Sequence, residues 1–304
     1  MADDKTRATR KKAKKIYKRG AGLSFFIVTV FILAFAVAYT IFEDSWFSTS
    51  HIRLNNNEIM VSFIDVGQGD AILIHSNNNA ILIDAGDHRS RQVVMDYLNS
   101  VNIRHLDYVI ATHPHSDHIG ALSTVLGRIG AGYVVLPEVV NETTAFENFL
   151  AAIENNDIST IFPKPGDELI AGIIRLTILA PPSGPHTEIN NSSIVAKLVY
   201  GDVSFMFTGD VEASGEEQLL ASGVRLNANV LKVAHHGSRT STIQSFLDAT
   251  APDIAVIMVG ENNRFNHPSQ IILDRLADAG ILILRTDELG TIRMVTDGVK
   301  IYTP

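Results

Sequence analysis

Residues 112–120 read Thr-His-Pro-His-Ser-Asp-His-Ile-Gly, which sets His113, His115, Asp117 and His118 within six consecutive positions. Neutral imidazole nitrogen and carboxylate oxygen are donors that zinc, manganese or iron accept, and no thiolate is needed. Ligands on one face of a helix stand three or four residues apart, so this spacing is expected on a loop. The apolar run 106–111 before it reads as a buried strand, and a helix is expected from His118 to Arg128. On such a loop His113 and His115 can hold one metal ion, and Asp117 with His118 the next.

The chain of 304 residues suits one large α/β domain. It has no cysteine, which excludes disulfides and thiolate metal sites. Residues 1–20 carry nine Lys/Arg against two Asp, and residues 20–42 are 23 positions without a charge. An apolar run of ~20 residues spans a bilayer as a helix, and the basic block is expected to stay cytoplasmic. The organisation expected is a basic cytoplasmic tail over 1–20, a transmembrane anchor over 21–42, a polar linker over 43–56 and an extracellular domain over 57–304, held at the cell membrane by a single pass. The alternative is a signal peptide cleaved at Ala34-Phe35-Ala36 or Ala36-Val37-Ala38, with secretion. Of 25 Lys/Arg and 33 Asp/Glu overall, 16 and 29 lie from residue 51 onward, a formal charge near −13. Counterion-release binding needs a positive surface, so broad affinity for nucleic acid is not expected of this domain.

Along the domain, strands are expected near 59–64, 70–75 and 80–84, the last two joined by an Asn77-Asn78-Asn79 turn. Val94, Tyr97, Leu98 and Val101 stand at helical spacing in 90–101, and 144–154 reads as another helix. The second half repeats the pattern. A hairpin of 193–199 and 203–208 turns at Gly201-Asp202 and runs into Gly209-Asp210; a strand at 229–234 delivers His235 and His236. A helix over 268–279 would start on Pro268 and stop before Gly280. Two similar halves of alternating strands and helices point to two sheets packed face to face with helices outside.

The run His-x-His-x-Asp-His followed by Ile119-Gly120-Ala121 resembles the metallo-β-lactamase superfamily of metal-dependent hydrolases. Further motifs narrow the resemblance to the extracellular hydrolase domain of ComEC-type competence proteins. They are 64–74 (Ile-Asp-Val-Gly-Gln-Gly-Asp-Ala-Ile-Leu-Ile), Ile83-Asp84-Ala85-Gly86, Asn190-Asn191-Ser192-Ser193, Thr208-Gly209-Asp210, Val233 through Ser238 and Asn266-His267-Pro268. The resemblance covers about 57–304 and implies a four-layer αββα sandwich. It also implies one or two divalent ions, zinc or manganese. Asp210 would bridge them, Asp117 and His118 would complete the second position, and one of His235 and His236 would join. His236 is the ligand expected, and His235 the contact to substrate or leaving group. Asp84 is expected behind the histidine loop, orienting a ligand. Asp65, Gln68 and Asp70 either line the site or cap a tight Gly67–Gly69 turn. Full two-metal members carry a third histidine for the first ion; here Asn190, Asn191 and Ser193 stand in that stretch. Amide oxygen is a weak zinc ligand, so the first position would be loose, manganese-filled or empty unless His186 substitutes.

The chemistry implied is hydrolysis by water activated on a divalent ion, with Asp117 orienting the water and His235 or His267 protonating the leaving oxygen. The resemblance implies DNA as substrate, with Lys232, Arg239 and Arg264 pairing phosphates and a partner for DNA uptake. Phosphorylcholine esterases of cell-wall teichoic acid share similar motifs and give a second reading. β-Lactam hydrolysis is disfavoured by the missing third histidine. A metal-poor surface binding module is the non-enzymatic alternative.

Overall fold

A computed structural model describes residues 53–181 and 188–304. The expected tail and anchor, most of the linker, and His186 lie outside the described residues. Among the described residues no helix is long and apolar enough to cross a membrane.

The first half supplies β1 (Ile59–Phe63), β2 (Ile72–His75), β3 (Ala80–Ile83), α1 (Arg91–Ser100), β4 (Leu106–Ile110), α2 (Ser116–Ile119), α3 (Leu122–Arg128), β5 (Ala131–Val135), α4 (Thr144–Asn155) and β6 (Ser159–Ile161). The second supplies β7 (Glu168–Ala171), β8 (Ile174–Ala180), β9 (Val195–Tyr200), β10 (Val203–Phe207), α5 (Ala213–Ala221), β11 (Val230–Lys232), α6 (Gln244–Thr250), β12 (Ile254–Ile257), α7 (Gln270–Asp278) and β13 (Leu282–Arg285). α8 (Thr286–Leu289) then leads into β14 (Ile292–Thr296) and β15 (Ile301–Tyr302), which return to the first sheet. The sheets run β15-β14-β1-β2-β3-β4-β5-β6 and β13-β12-β11-β10-β9-β8-β7.

Alternation along the strands makes the layers. Ile59, Val61 and Phe63 of β1, Ile72 and Ile74 of β2, and Val203, Phe205 and Phe207 of β10 meet between the sheets. The Phe63 and Phe207 rings come within 6.4 Å across that interface. Leu73 and Leu82 face the other way and pack under α1, α3 and α4, while Val195, Met206 and Leu231 pack under α5, α6 and α7. Three apolar layers therefore separate four structural ones, helix–sheet–sheet–helix. Each large apolar side chain buried in them contributes roughly 1.5–3 kcal/mol. Strands covered on both faces read as continuous apolar runs, as β2 and β3 do.

Three expectations change at element ends. The helix expected over 118–128 is two helices, α2 and α3, because the Ala121 N–H donates to the Gly86 carbonyl at 3.2 Å and leaves the helical ladder. Asp117 and His118 therefore sit in the single turn of α2, while His113 and His115 precede it. α7 begins at Gln270, since Ser269 N–H is taken by the Gly237 carbonyl at 2.9 Å; Pro268 lies before the helix. β11 is only three residues long, and the chain turns sharply over Ala234–Gly237, with His235 and His236 in the left-handed region.

Candidate metal centre

β3, β4, β5 and β6 run parallel in one sheet, and β10, β11, β12 and β13 run parallel in the other. Ligands in α/β sheets gather beyond the carboxyl ends of parallel strands, and the chemistry-bearing residues do so here. β3 leads to Asp84, β4 to His113, β10 to Asp210 and β11 to His235 and His236.

The tightest convergence is around one Asp210 oxygen. His118 Nε2 lies 3.2 Å and His236 Nε2 3.4 Å from Asp210 Oδ2, and His236 Nε2 is 3.6 Å from Asp117 Oδ2. Both Nε2 atoms and Asp210 Oδ1 are buried without a hydrogen-bond partner. Orphaned buried acceptors are costly unless something binds them. Two imidazoles and two carboxylates around one point fit a divalent cation. The far nitrogens are fixed: His118 Nδ1 donates to Asp84 Oδ2 at 2.8 Å, and His236 Nδ1 donates to the Met258 carbonyl at 2.9 Å. Such bonds set the tautomer and aim each Nε2 inward.

The first position is looser. His113 Nε2 stands 3.9 Å from Asp210 Oδ2 and 3.0 Å from His115 Nδ1. Asn190 lies beside His115, and its Oδ1 is buried without a partner. Two imidazoles, an amide oxygen and a shared carboxylate can hold a second ion, less tightly than a third imidazole would.

Burial works against charge throughout this cluster, and the carboxylates decide the sign. Burial pushes the His118 and His236 rings down, but Asp210, with Asp84 for His118 and Asp117 for His236, holds both well above the ordinary histidine range. Burial pushes His113 well below that range, with His118 adding to the effect. His267 is pushed down to about 4, first by burial and then by His235. Burial raises the Asp84 carboxyl despite His118, whereas His118 and His236 outweigh burial at Asp210 and hold it well below the ordinary carboxylate range.

Backbone strain marks the same place. His235, His236 and Gly237 have φ of 51°, 55° and 81°, and Asp84 has 55°. Left-handed non-glycine residues cost of order 1–3 kcal/mol each and persist where their surroundings over-determine them. Here the His235 N–H donates to the Gly209 carbonyl at 3.2 Å, and its carbonyl accepts from Ser238 at 2.8 Å. Gly69 is required for a different reason. A Cβ there would come 2.2 Å from the Asp117 carbonyl, so only glycine lets the 65–70 loop close on α2.

The structure assigns the remaining expected residues as follows. Asp84 stands behind His118, accepting also from the Thr112 N–H at 2.8 Å and its hydroxyl at 2.6 Å. Asp65 Oδ1 accepts from the Gly67 N–H at 3.0 Å, and Gln68 Oε1 from the Gly260 N–H at 3.3 Å; both also line a cleft. Asp70 is fully buried, ion-paired to Lys232, with Oδ1 3.4 Å from His236 Nδ1. Lys232 differs from expectation: its ammonium is buried, spent on Asp70 and on the Gly209 carbonyl at 2.9 Å. It neutralises the floor of the site and cannot reach a substrate phosphate. Ser193 Oγ accepts from the Asp210 N–H at 3.0 Å, and Asn191 Oδ1 from the Glu212 N–H at 2.9 Å. Those two residues shape the Asp210 loop and are not ligands. His267 packs edge-on to His235 at 5.5 Å and stacks on Phe265 at 5.8 Å. Arg239 is exposed.

A cleft of about 890 Å³ opens beside Asp117, lined by Gln68, Arg89, Ser90, Asn263, Arg264 and Phe265 among others. Arg89 is paired with Asp87, whereas Arg264 lies over the Phe265 ring at 4.9 Å and has no ion pair among the described residues. Sequence reasoning missed Thr112, Arg89 and Glu212, whose Oε1 lies 3.2 Å from His235 Nδ1. Nothing in their spacing marked them.

The profile of the Metallo-beta-lactamase superfamily matches residues 64–261. The chain belongs to that superfamily. Within it, the chain is 32% identical over 256 residues to ComE operon protein 3 of Bacillus subtilis, covering 78% of this chain and 33% of that protein. It is 31% identical over 241 residues to Competence protein ComA of Neisseria gonorrhoeae, covering 78% and 32%. It therefore spans about a third of the length of these curated relatives and resembles the hydrolase part of a ComEC-type competence protein. The metallo-beta-lactamase fold also appears in solved structures at low identity. Igni18, a metallo hydrolase from Ignicoccus hospitalis, aligns with TM-score 0.53 at 16% identity over 77% of this chain and 98% of its own. The fold protein YhfI of Bacillus subtilis aligns with TM-score 0.53 at 14% identity over 79% and 100%.

Proposed function

We propose that this chain is a metal-dependent phosphodiesterase acting on DNA, anchored by its N-terminal segment with the hydrolase domain outside the cell. The observation that carries the reading is the set of orphaned nitrogens, His118 Nε2 and His236 Nε2, gathered on Asp210 beside an open cleft that holds Arg264 free. One curated relative is named for competence and another for recombination, which favours a nucleic-acid substrate.

His113, His115, Asn190 and Asp210 would hold one ion and Asp117, His118, His236 and Asp210 the other. Bound divalent ions lower the pKa of water from 15.7 to about 7 and neutralise charge on a phosphoryl oxygen. The protein supplies the rest. Asp117 accepts a hydrogen bond from the attacking water, His235 or His267 hands a proton to the leaving oxygen, and Arg264 pairs a flanking phosphate. The domain's net charge near −13 restricts binding to a short stretch at the cleft, so DNA delivery falls to a partner.

A second reading has one observation in its favour: Asp65, Asp87, Glu261 and Asp287 line the cleft against two arginines, which suits a phosphoryl group that carries a cation such as choline. The test is hydrolysis of bis(p-nitrophenyl) phosphate, a single-stranded oligonucleotide and a phosphorylcholine ester by the full chain with Mn²⁺ or Zn²⁺, beside Asp210→Ala. The expected result is metal-dependent cleavage of the first two, lost in the variant. Preference for the choline ester would move the substrate to the cell wall, and no turnover with either metal would sink the enzymatic reading.

A further inference from the structure

Glu212 occupies the N-cap position of α5 yet makes no side-chain cap to that helix. An acid at a helix start ordinarily turns onto the free N–H groups; this one turns away, toward His235. Its Oε1 receives the Thr240 hydroxyl at 2.9 Å, lies 3.2 Å from His235 Nδ1 and takes the Asn190 side-chain amide at 3.3 Å.

The surrounding bonds leave the carboxylate little freedom. The Glu212 N–H donates to Asn191 Oδ1 at 2.9 Å, and its carbonyl accepts from Gly215 and Glu216 at the start of α5. Thr240 is tied in turn, its carbonyl accepting from the Ala213 N–H at 2.9 Å and its N–H donating to Ser238 Oγ at 3.3 Å. The paired amides of Asn190-Asn191 thus grip Glu212 from both its side chain and its backbone.

His235 also differs from the rings around it. His113, His118 and His236 are buried, whereas the side chains of His235 and Glu212 are 21% and 25% exposed. A ring at the lip of the site can touch substrate, with its Nε2 3.9 Å from Asp210 Oδ2.

We propose that Glu212 is the positioning residue of His235. By accepting the Nδ1–H it holds the imidazole in the tautomer whose Nε2 lone pair faces the reacting atoms. Nε2 then takes a proton from solvent and gives it to the leaving oxygen as the old P–O bond breaks, while the attacking water passes its own proton through Asp117 to solvent as the new P–O bond forms, so His235 ends as it began. A carboxylate that fixes a histidine tautomer this way is a recurrent device of hydrolases. The proton step rests on the phosphodiesterase reading above; the orientation of the ring does not.

The test has two readouts on the full chain loaded with zinc. Long-range ¹H–¹⁵N NMR of ¹⁵N-histidine-labelled protein reads the tautomer: His235 is expected as Nδ1–H in the wild type and in Thr240→Val, which removes the hydroxyl 3.4 Å from Nδ1, lost in Glu212→Ala and kept in Glu212→Gln, whose amide oxygen still accepts. Turnover is compared on a phosphodiester with a p-nitrophenolate leaving group and on one with an unactivated alkoxide. Glu212→Ala should lose roughly 10²–10⁴-fold on the alkoxide ester and less than about tenfold on the p-nitrophenyl ester, with Glu212→Gln recovering part of the loss. An unchanged tautomer in Glu212→Ala, or equal losses on both esters, overturns the assignment. A wild type that cleaves neither ester overturns the phosphodiesterase reading alone, and the tautomer then decides the role of Glu212 by itself.

Discussion

Replacing Asp84 by Asn tests whether a residue that touches no metal position governs metal affinity. Asp84 accepts three hydrogen bonds in a fully buried pocket: His118 Nδ1 at 2.8 Å and the Thr112 hydroxyl at 2.6 Å on Oδ2, and the Thr112 N–H at 2.8 Å on Oδ1. An amide has one oxygen. If it takes the Oδ2 place, its NH₂ faces the Thr112 N–H; if reversed, two donors lose their acceptor. At least one buried donor is orphaned either way, costing about 1–3 kcal/mol of stability. The metal effect is separate. His118 Nε2 is aimed by the bond on its other nitrogen, and loss of such a partner weakens metal binding by roughly 10–100-fold, or about 1.4–2.8 kcal/mol. Zinc affinity would be measured by calorimetric titration against a competing chelator, and stability by thermal unfolding of the metal-free chain. Thr112→Val is the control, since it removes the hydroxyl alone and should cost about 1 kcal/mol of stability with little change in zinc affinity. The amide oxygen can still accept from His118, so Asp84→Ala is measured beside it; if both bound zinc within twofold of the wild type, the argument that Asp84 orients His118 would fail.

Lys232→Met leaves the buried Asp70 carboxylate without its counter-charge and should destabilise the metal-free chain by about 3–5 kcal/mol, while Lys232→Met with Asp70→Leu should recover most of that; additive losses in denaturant unfolding would refute the pairing. Glu216, raised by burial to about 7, is protonated in the folded chain over a window where the unfolded one is ionised. Its stabilisation is full below pH ~4.5 and lost as pH rises through ~7, about 3 kcal/mol at 1.36 kcal/mol per unit. The stability of wild type relative to Glu216→Gln should accordingly fall between pH 5 and 8, and a flat difference would contradict it. Zinc titration should resolve two steps, the tighter at Asp117, His118, His236 and Asp210, the weaker at His113, His115 and Asn190; two equal sites would show that the amide is no handicap.

The layers were legible because strands buried on both faces cannot hide. β1, β2, β3 and β10 are buried at every position and apolar at all but one or none, and α4 shows Phe146, Phe149, Ala152 and Ile153 on one face with Thr143 capping its start. Less legible were the ends of elements near the site. α2 and α3 share a helical pattern with no breaker inside it except Gly120, and only the long-range bond from Ala121 to Gly86 divides them. β11 was expected to be longer because apolar pattern continues past Lys232, whereas the turn is imposed by left-handed residues that a histidine pair does not announce. Ligand types could be read from composition at one loop; the partners that aim them, Thr112, Met258 and Glu212, follow the ends of β4, β12 and β10, which are far apart in sequence.

Lys232 shows most clearly why charge read from sequence misleads at such a site. A lysine next to a metal motif looks like a phosphate contact, yet three buried carboxylates, Asp70, Asp84 and Asp210, need compensation before any substrate arrives. A fixed ammonium on Asp70 supplies one positive charge permanently. The remainder is conditional: Asp210 with Asp84 and Asp117 outweighs burial and raises the proton affinity of the His118 and His236 rings. A proton on either ring takes the same Nε2 atom that a divalent ion needs, so proton and metal compete for one pair of nitrogens. Metal affinity should accordingly fall as pH falls. Lys232 cannot substitute for the ion, because its ammonium is held beneath Asp210, 3.8 Å from Oδ1, while the exchangeable charge sits at Oδ2.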